Sequence, residues 1–176
     1  MKKVSMISLG LLLAAAQVNA AEASDGTINF TGQIESQTCT VSVNGGTSTG
    51  TVVLPTVSSS LLKTPGQTAG STRFTIDLSD CSTQTGDVYA YFEQGSNVNA
   101  NGRLNNTGTA ENVELQLLDN ASNALNAGST AQTTSPVTAT LAAGAATLTY
   151  AAEYFATAAA TSGTVASSVT YSINYL

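Results

Sequence analysis

Catalytic side chains are scarce in this chain of 176 residues. It contains no histidine, so neither a serine–histidine nor a cysteine–histidine nucleophile can be assembled. Two close carboxylate pairs remain, Asp77 with Asp80 and Glu111 with Glu114, and paired carboxylates perform glycoside hydrolysis. Each pair lies on or beside a segment with a strand pattern, where a solvated strand face is the simpler explanation. The residues therefore predict no catalytic site and a protein that is not an enzyme.

Cys39 and Cys81 are the other candidates for chemistry. A metal site built on two cysteines is disfavoured because the chain has no histidine to complete the ligand set. An even number of cysteines in an exported chain predicts one disulfide instead. Closing a loop of roughly 40 residues contributes about 4 kcal/mol in the chain-entropy model. We expect neither a metal nor a cofactor.

The N-terminus has the features of a secretory signal peptide. Lys2 and Lys3 precede a short apolar run, Met6–Ala16, and the small residues Val18 and Ala20 mark a cleavage site. The apolar run is too short to span a membrane, so we expect no membrane-embedded segment. Downstream of the cleavage site, three basic residues stand against eleven acidic ones. This excess of acid argues against nucleic acid or an anionic membrane surface as a partner.

Short segments with strand-like patterns and turn residues between them occupy the rest of the chain. No segment has a convincing helical period, and the alanine-rich run 137–146 is expected to form a strand and a loop. Such spacing predicts one domain with an all-β sandwich of the immunoglobulin type. The predicted strands are 27–34, 40–43, 51–54, 73–81, 87–93, 112–118, 147–155 and a last strand from about Val165.

The last strand has the clearest alternation in the chain. Its apolar face carries Val169, Tyr171, Ile173 and Tyr175, and the residues between them are Thr170, Ser172 and Asn174. A period of two marks a half-buried strand. No strand follows it, so we expect its open side to need a partner, supplied by another copy of the same protein.

The segment 22–37 precedes the first cysteine and also alternates, through Ile28, Phe30, Gly32 and Ile34. It is either the first strand of its own sandwich or a strand lent to a neighbour. Composition alone favours the first of these.

Four ordered motifs resemble the major pilin subunits of chaperone–usher fimbriae, the type 1 fimbrial protein family. An alternating arm, Gly26–Ile34, is followed by a cysteine; Phe74–Cys81 is similar to the family's second-cysteine strand; and Asn112–Asp119 is similar to a mid-domain strand. A glycine fourteenth from the end, Gly163, and a penultimate aromatic, Tyr175, complete the set. The resemblance covers essentially the whole mature chain. The stretch 121–146, rich in Ala, Thr and Ser, departs from it and has no assigned role.

This resemblance implies a pilin fold, an incomplete immunoglobulin-like sandwich completed by donor-strand exchange. It divides the chain into a signal peptide (1–20), a donor-strand extension (21–37) and a pilin domain (38–176). The donor residues would be Ile28, Phe30, Gly32 and Ile34. The groove edge, which also zippers to the chaperone, would be formed by Gly163, Val169, Tyr171, Ile173 and Tyr175.

The resemblance also implies partners and a location. A periplasmic chaperone would hold the subunit, an outer-membrane usher would assemble it, and other pilin subunits would form a homopolymer at the cell surface. The implied function is a structural subunit of a pilus rod for adhesion. Two alternatives remain: a minor adaptor or tip pilin of the same assembly class, and a secreted, monomeric immunoglobulin-like binding module.

Overall fold

The computed structural model describes residues 29–32 and 39–176. The chain divides into two units, Met1–Ile34 and Glu35–Leu176, and each is considered by itself. The predicted signal peptide lies outside the described residues, and so do Ile28 and Ile34 of the predicted arm. All secondary structure described below belongs to the second unit.

Nine strands and very little helix make up the second unit in its described part. One single-turn helix, α1, covers Ala131–Thr134, and a 3-10 turn covers Ser59–Leu61. The strands are β1 Thr40–Val43, β2 Thr68–Ser79, β3 Thr85–Phe92, β4 Leu104–Asn105, β5 Val113–Leu118, β6 Ala124–Leu125, β7 Ala139–Ala142, β8 Ala146–Ala156 and β9 Tyr171–Tyr175.

The strands form two antiparallel sheets. The larger sheet has the order β1-β2-β8-β5-β4, with β6 also paired to β5, and the smaller sheet has the order β7-β3-β9. β2 and β8 form the longest ladder, from Thr68 opposite Phe155 to Leu78 opposite Ala146. β9 therefore lies at one edge of the smaller sheet and β7 at the other.

The core lies between the two sheets and is centred on three aromatic rings. Phe92 of β3 and Tyr150 of β8 pack edge to face with ring centroids 5.0 Å apart, and Phe74 of β2 lies 5.9 Å from Tyr150. Alternate residues of β2 and β8 supply the surrounding apolar side chains, with Ile76 and Leu148 almost fully buried. The period of two in these strands thus directs one side-chain row into the core.

A disulfide joins Cys39 and Cys81, with an S–S distance of 2.09 Å. Cys39 immediately precedes β1 and Cys81 follows β2 by two residues, so the bond closes the end of the β1–β2 pair, where Thr40 lies opposite Ser79. The turn Asn44-Gly45-Gly46 leaves β1 at the other end, with positive φ at Asn44 (50°) and Gly45 (72°). In the described part of the chain, no helix is long and apolar enough to cross a membrane.

The described residues 29–32 of the predicted strand 27–34 join neither sheet, and two strand predictions within the second unit differ from the structure. Thr51–Leu54 was expected to be a paired strand, but it joins neither sheet. The last strand was expected from about Val165, whereas its ladder with β3 begins at Tyr171. Both differences occur around one edge of the sandwich.

An open strand edge as the candidate functional site

β9 pairs with β3 on one side only, so its other side is a free strand edge. Flanking bonds fix which residues face which way: the Leu176 N–H donates to the Asp87 carbonyl (2.8 Å) and the Glu93 N–H to the Thr170 carbonyl (2.9 Å). In an antiparallel ladder, successive residues point their N–H and C=O groups to opposite sides. The even-numbered residues therefore bond to β3, and the main-chain groups of Tyr171, Ile173 and Tyr175 face outward.

The free edge continues upstream of β9. The carbonyls of Thr164 and Ala166 accept from the N–H groups of Ala110 (3.0 Å) and Thr107 (2.8 Å). Three odd-numbered residues upstream of β9 are half-buried, Val165, Ser167 and Val169. Their main-chain groups have no partner in the described part of the chain. We call residues 165–175 the open edge; its inward row is Val165, Ser167, Val169, Tyr171, Ile173 and Tyr175.

Two tyrosines of the open edge reach the opposite sheet. The Tyr175 hydroxyl lies 3.1 Å from the Cys39 sulfur, and the Tyr171 hydroxyl donates to the Ser48 carbonyl at 2.7 Å. Cys39 and Ser48 lie on either side of β1 in sequence, so the open edge faces the β1 side of the larger sheet. Facing sheets lie about 10 Å apart, a distance that a tyrosine side chain with a hydrogen bond can span.

A second unpaired segment, Thr51–Leu54, follows Ser48. Val52 and Leu54 are half-buried and pack against the same core as Tyr171, whereas Val53 is 80% exposed. This alternation is that of a strand, but residues 51–54 make no hydrogen bond with any described part of the chain. The β1 side of the sandwich thus carries another extended segment whose main-chain groups are unsatisfied.

The open edge is apolar and uncharged, so its chemistry is that of packing and main-chain hydrogen bonding. Burial raises the pKa of the Tyr171 hydroxyl above its ordinary value, which keeps it protonated as a donor to Ser48. Among the described residues, no cluster of His, Cys, Asp and Glu could hold a metal ion. An extended chain is the ligand that such an edge can recognise.

Four of the five predicted groove-edge residues lie together in the structure. Val169, Tyr171, Ile173 and Tyr175 share the inward row of the open edge. Gly163 does not: a Cβ there would lie 2.5 Å from the Ala110 nitrogen and 2.8 Å from its Cα. The missing side chain permits close approach to the backbone at residues 109–110, and a role of Gly163 at the groove edge stays a prediction.

The predicted donor residues are described only in part. Phe30 is 89% exposed, and a Cβ at Gly32 would have no heavy atom within 4 Å. An exposed phenylalanine of this degree is unusual for a side chain of its size. Ile28 and Ile34 lie outside the described residues.

Two of the four carboxylates considered for catalysis, Asp77 and Glu114, have structural partners. Asp77 accepts from the hydroxyls of Thr75 and Thr147, both at 2.8 Å. Glu114 pairs with Arg103 at 2.6 Å, and the Arg103 guanidinium lies 4.0 Å from the centre of the Phe155 ring. These contacts account for Asp77 and Glu114 as polar groups on strand faces.

Sequence reasoning missed how the side of β3 that faces away from β9 is covered beyond the end of β7. Beyond the end of β7, the β3 residue Phe92 donates its N–H to the Gln132 side chain (2.9 Å) and accepts from the same amide (3.0 Å). The N–H of Ala90 donates to the Tyr150 hydroxyl at 3.3 Å. The stretch 121–146 therefore connects β6 of the larger sheet to β7 of the smaller one and covers this side of β3. A buried glutamine in a Thr-rich run gave no pattern from which this could be predicted.

A cavity of about 150 Å³ lies under this connection, lined by residues that include Asp119, Gln132 and Tyr150. It shares no lining residue with the open edge. Burial acts to raise the pKa of Asp119, but hydrogen bonds from the Asn123 side chain and from the Asn123 and Ala121 N–H groups outweigh it and lower the pKa. Asp119 thus serves to order the turn after β5.

Comparisons with known proteins agree on one family. The family model described as FimA, type-1 fimbrial protein, A, matches residues 54–176. The major fimbrial subunit SMF-1 of Stenotrophomonas maltophilia (strain K279a) is 50% identical over 111 residues, which cover 61% of this chain and 63% of that protein. The F17 fimbrial protein of Escherichia coli is 44% identical over 126 residues, 68% of each protein. This chain thus spans about two thirds of the length of these relatives.

Solved structures agree on the fold. The crystal structure of the P pilus rod subunit PapA aligns with a TM-score of 0.59 at 19% identity, covering 78% of this chain and 99% of that one. The all-β, immunoglobulin-like sandwich predicted from the sequence is confirmed by this likeness and by the two sheets described above.

Proposed function

The chain belongs to the type-1 fimbrial protein family and is a structural fimbrial subunit rather than an enzyme, and on this premise we propose that it polymerises by donor-strand exchange into a surface pilus rod for adhesion. The observation that carries the proposal is the open edge, residues 165–175. Its odd-numbered residues combine unpaired main-chain groups with an inward row that is apolar except for Ser167. An unpaired apolar edge is an aggregation hazard unless a strand covers it.

The proposed occupant is the N-terminal arm of a second copy of the chain. Its Ile28, Phe30 and Ile34 alternate in phase with the pleat of a strand. Burying these three side chains would contribute on the order of 5–9 kcal/mol, at about 1.5–3 kcal/mol each. The 89% exposure of Phe30 supports this role, since an exposed phenylalanine is available for insertion elsewhere.

Two unpaired segments can bond to the inserted arm. One is the open edge, to which the arm would run antiparallel as in an immunoglobulin-like sheet. The other is Thr51–Leu54, on the β1 side of the same opening. Main-chain bonds along the edge give affinity, and the alternating side chains give specificity.

We further propose that a periplasmic chaperone covers the open edge during export and that an outer-membrane usher exchanges it for the arm. The chain would be a signal peptide (1–20), a donor-strand extension (21–37) and a pilin domain (38–176). The alternative of a minor adaptor or tip pilin is less favoured, because SMF-1 is named a major fimbrial subunit and PapA a rod subunit. A secreted monomeric module is disfavoured by the family match.

Substitutions in the arm test the proposal. Phe30→Asp places an unpaired charge in an apolar groove at a cost of several kcal/mol, and Gly32→Leu adds bulk where the arm approaches closely. Both variants should lose detergent-resistant surface polymer while periplasmic subunit levels stay unchanged. Thr31→Asp is the matched control, since its side chain alternates to the other face, and it should polymerise.

Shear preparations of surface fibres, compared with periplasmic extracts by immunoblot, give the measurement. Normal polymer from Phe30→Asp and Gly32→Leu, or loss of the subunit itself, would mean that the arm is an ordinary first strand.

A further inference from the structure

Ser167 is the one polar side chain in the inward row of the open edge. It lies between Val165 and Val169, and all three are half-buried. Both valines pack against the core cluster. An apolar residue would suit this position in a subunit that had no partner.

The Ser167 hydroxyl is buried without a hydrogen bond. Its oxygen is the single buried side-chain polar atom with no partner in the described part of the chain. Leaving a buried hydroxyl unpaired costs about 1–3 kcal/mol, so native structures rarely keep one without a reason. Its main-chain groups are unpaired as well.

The neighbouring serine shows the contrast. Ser168 points to the opposite face, is exposed, and accepts from the Asn97 side-chain amide at 3.0 Å. Ser167 therefore lacks a partner because of its inward direction at the open edge, and not because this part of the chain lacks donors or acceptors.

We propose that Ser167 is a binding residue of the open edge, whose hydroxyl is satisfied by a main-chain group of the inserted arm. This inference rests on the proposed function. Insertion places a second strand beside the inward row, and that strand brings both main-chain groups and side chains to the position of Ser167. The inward side chains of the proposed arm, Ile28, Phe30 and Ile34, are apolar, so the partner of the Ser167 hydroxyl is a main-chain group of the arm.

The test compares Ser167→Ala with Ser168→Ala in the full-length chain. A synthetic peptide of residues 22–37 is titrated against the purified monomer, and the thermal stability of the monomer is measured separately. Ser167→Ala should bind the peptide roughly three- to tenfold more weakly, the range for one lost hydrogen bond. The same variant should be as stable as wild type or more so, because removing an unpaired buried hydroxyl relieves its desolvation cost.

The control, Ser168→Ala, should bind the peptide as wild type does. Equal peptide affinity for Ser167→Ala and wild type would overturn the role of Ser167 while leaving donor-strand exchange intact. A destabilised Ser167→Ala monomer would overturn it too, by showing that the hydroxyl already has a partner within the subunit. If the wild-type monomer does not bind the peptide, the proposed function itself fails and this inference fails with it.

Discussion

Two tyrosine hydroxyl groups connect the open edge to the β1 side of the larger sheet. Tyr171 and Tyr175 project from the open edge and end on the Ser48 carbonyl and the Cys39 sulfur. The disulfide links Cys39 to Cys81, just after the end of β2. The Tyr175 contact therefore connects the open edge to the disulfide-closed end of the β1–β2 pair. A hydroxyl can hold such a position only while it carries its proton.

Alkaline titration tests the Tyr171 contact. Burial raises the pKa of Tyr171 in the folded chain, so folding favours the neutral form over the phenolate. The stability that this group contributes is fully present below its unfolded pKa of about 10 and is lost as pH rises through the higher folded pKa. Between pH 8 and 12, the unfolding free energy of wild type should therefore fall more steeply than that of Tyr171→Phe. Identical slopes for wild type and Tyr171→Phe would contradict the raised pKa of the buried Tyr171 hydroxyl.

At the scale of elements, the long strands were predictable and the short ones were not. β2, β3, β5 and β8 have six or more residues each, and their apolar patterns identified them, although β2 begins at Thr68 and was predicted only from Arg73. β4, β6 and α1 have two to four residues each, too few to show a period. Their conformations are set by pairing with β5 and β3, which is tertiary information.

The errors at the open edge have a different physical cause. Thr51–Leu54 and the segment 165–169 have strand-like alternation, and the structure keeps that alternation in their burial. Thr51–Leu54 lacks any hydrogen-bonded neighbour among the described residues, and the segment 165–169 is bonded on one side only, through Ala166 and Ser168. The sequence therefore predicted extended segments correctly, and their missing partner is what the proposed function supplies. The close approach of Gly163 to the distant residue Ala110 could not be predicted from the sequence, because it depends on tertiary contacts.

The covered side of β3 beyond β7 can be tested through Gln132. Gln132→Leu leaves the Phe92 N–H unpaired in a buried position, at a cost of about 1–3 kcal/mol. Urea denaturation should show this loss, while peptide binding at the open edge stays unchanged because Gln132 is not part of the open edge. Thr133→Ala, a neighbouring exposed position, should lie within about 0.5 kcal/mol of wild type. Equal stability of wild type and Gln132→Leu would show that Gln132 does not hold this part of β3.

On the scale of the whole molecule, charge opposes assembly. The chain carries a formal net charge of −6, and only 9% of its residues are charged. Subunits of like charge repel one another, so the attraction between them must come from apolar burial and main-chain bonds. Added salt should not weaken such an interface, since screening reduces the repulsion between the subunits.

A rod held in this way should remain intact in concentrated sodium chloride. In sodium dodecyl sulfate without heating, it should run as a ladder of multiples of the subunit, and boiling should collapse the ladder to one band. Dissociation by salt alone would indicate an electrostatic interface and contradict the proposed contact. A single band before heating would indicate the secreted monomeric module.

In polymer chemistry, the functionality of a monomer is the number of groups through which it can link to others. The open edge and the donor arm set this number for the subunit. Gln132 and Tyr150 bond to the part of β3 beyond β7, and the open edge is the one acceptor that we propose, to match the single proposed donor arm. A monomer with one group of each kind can form only unbranched chains. Such a chain has two chemically different ends, one with a vacant acceptor and one with an unused arm. Growth then stops when a unit that lacks either group is added, so chain length is governed by the supply of terminators.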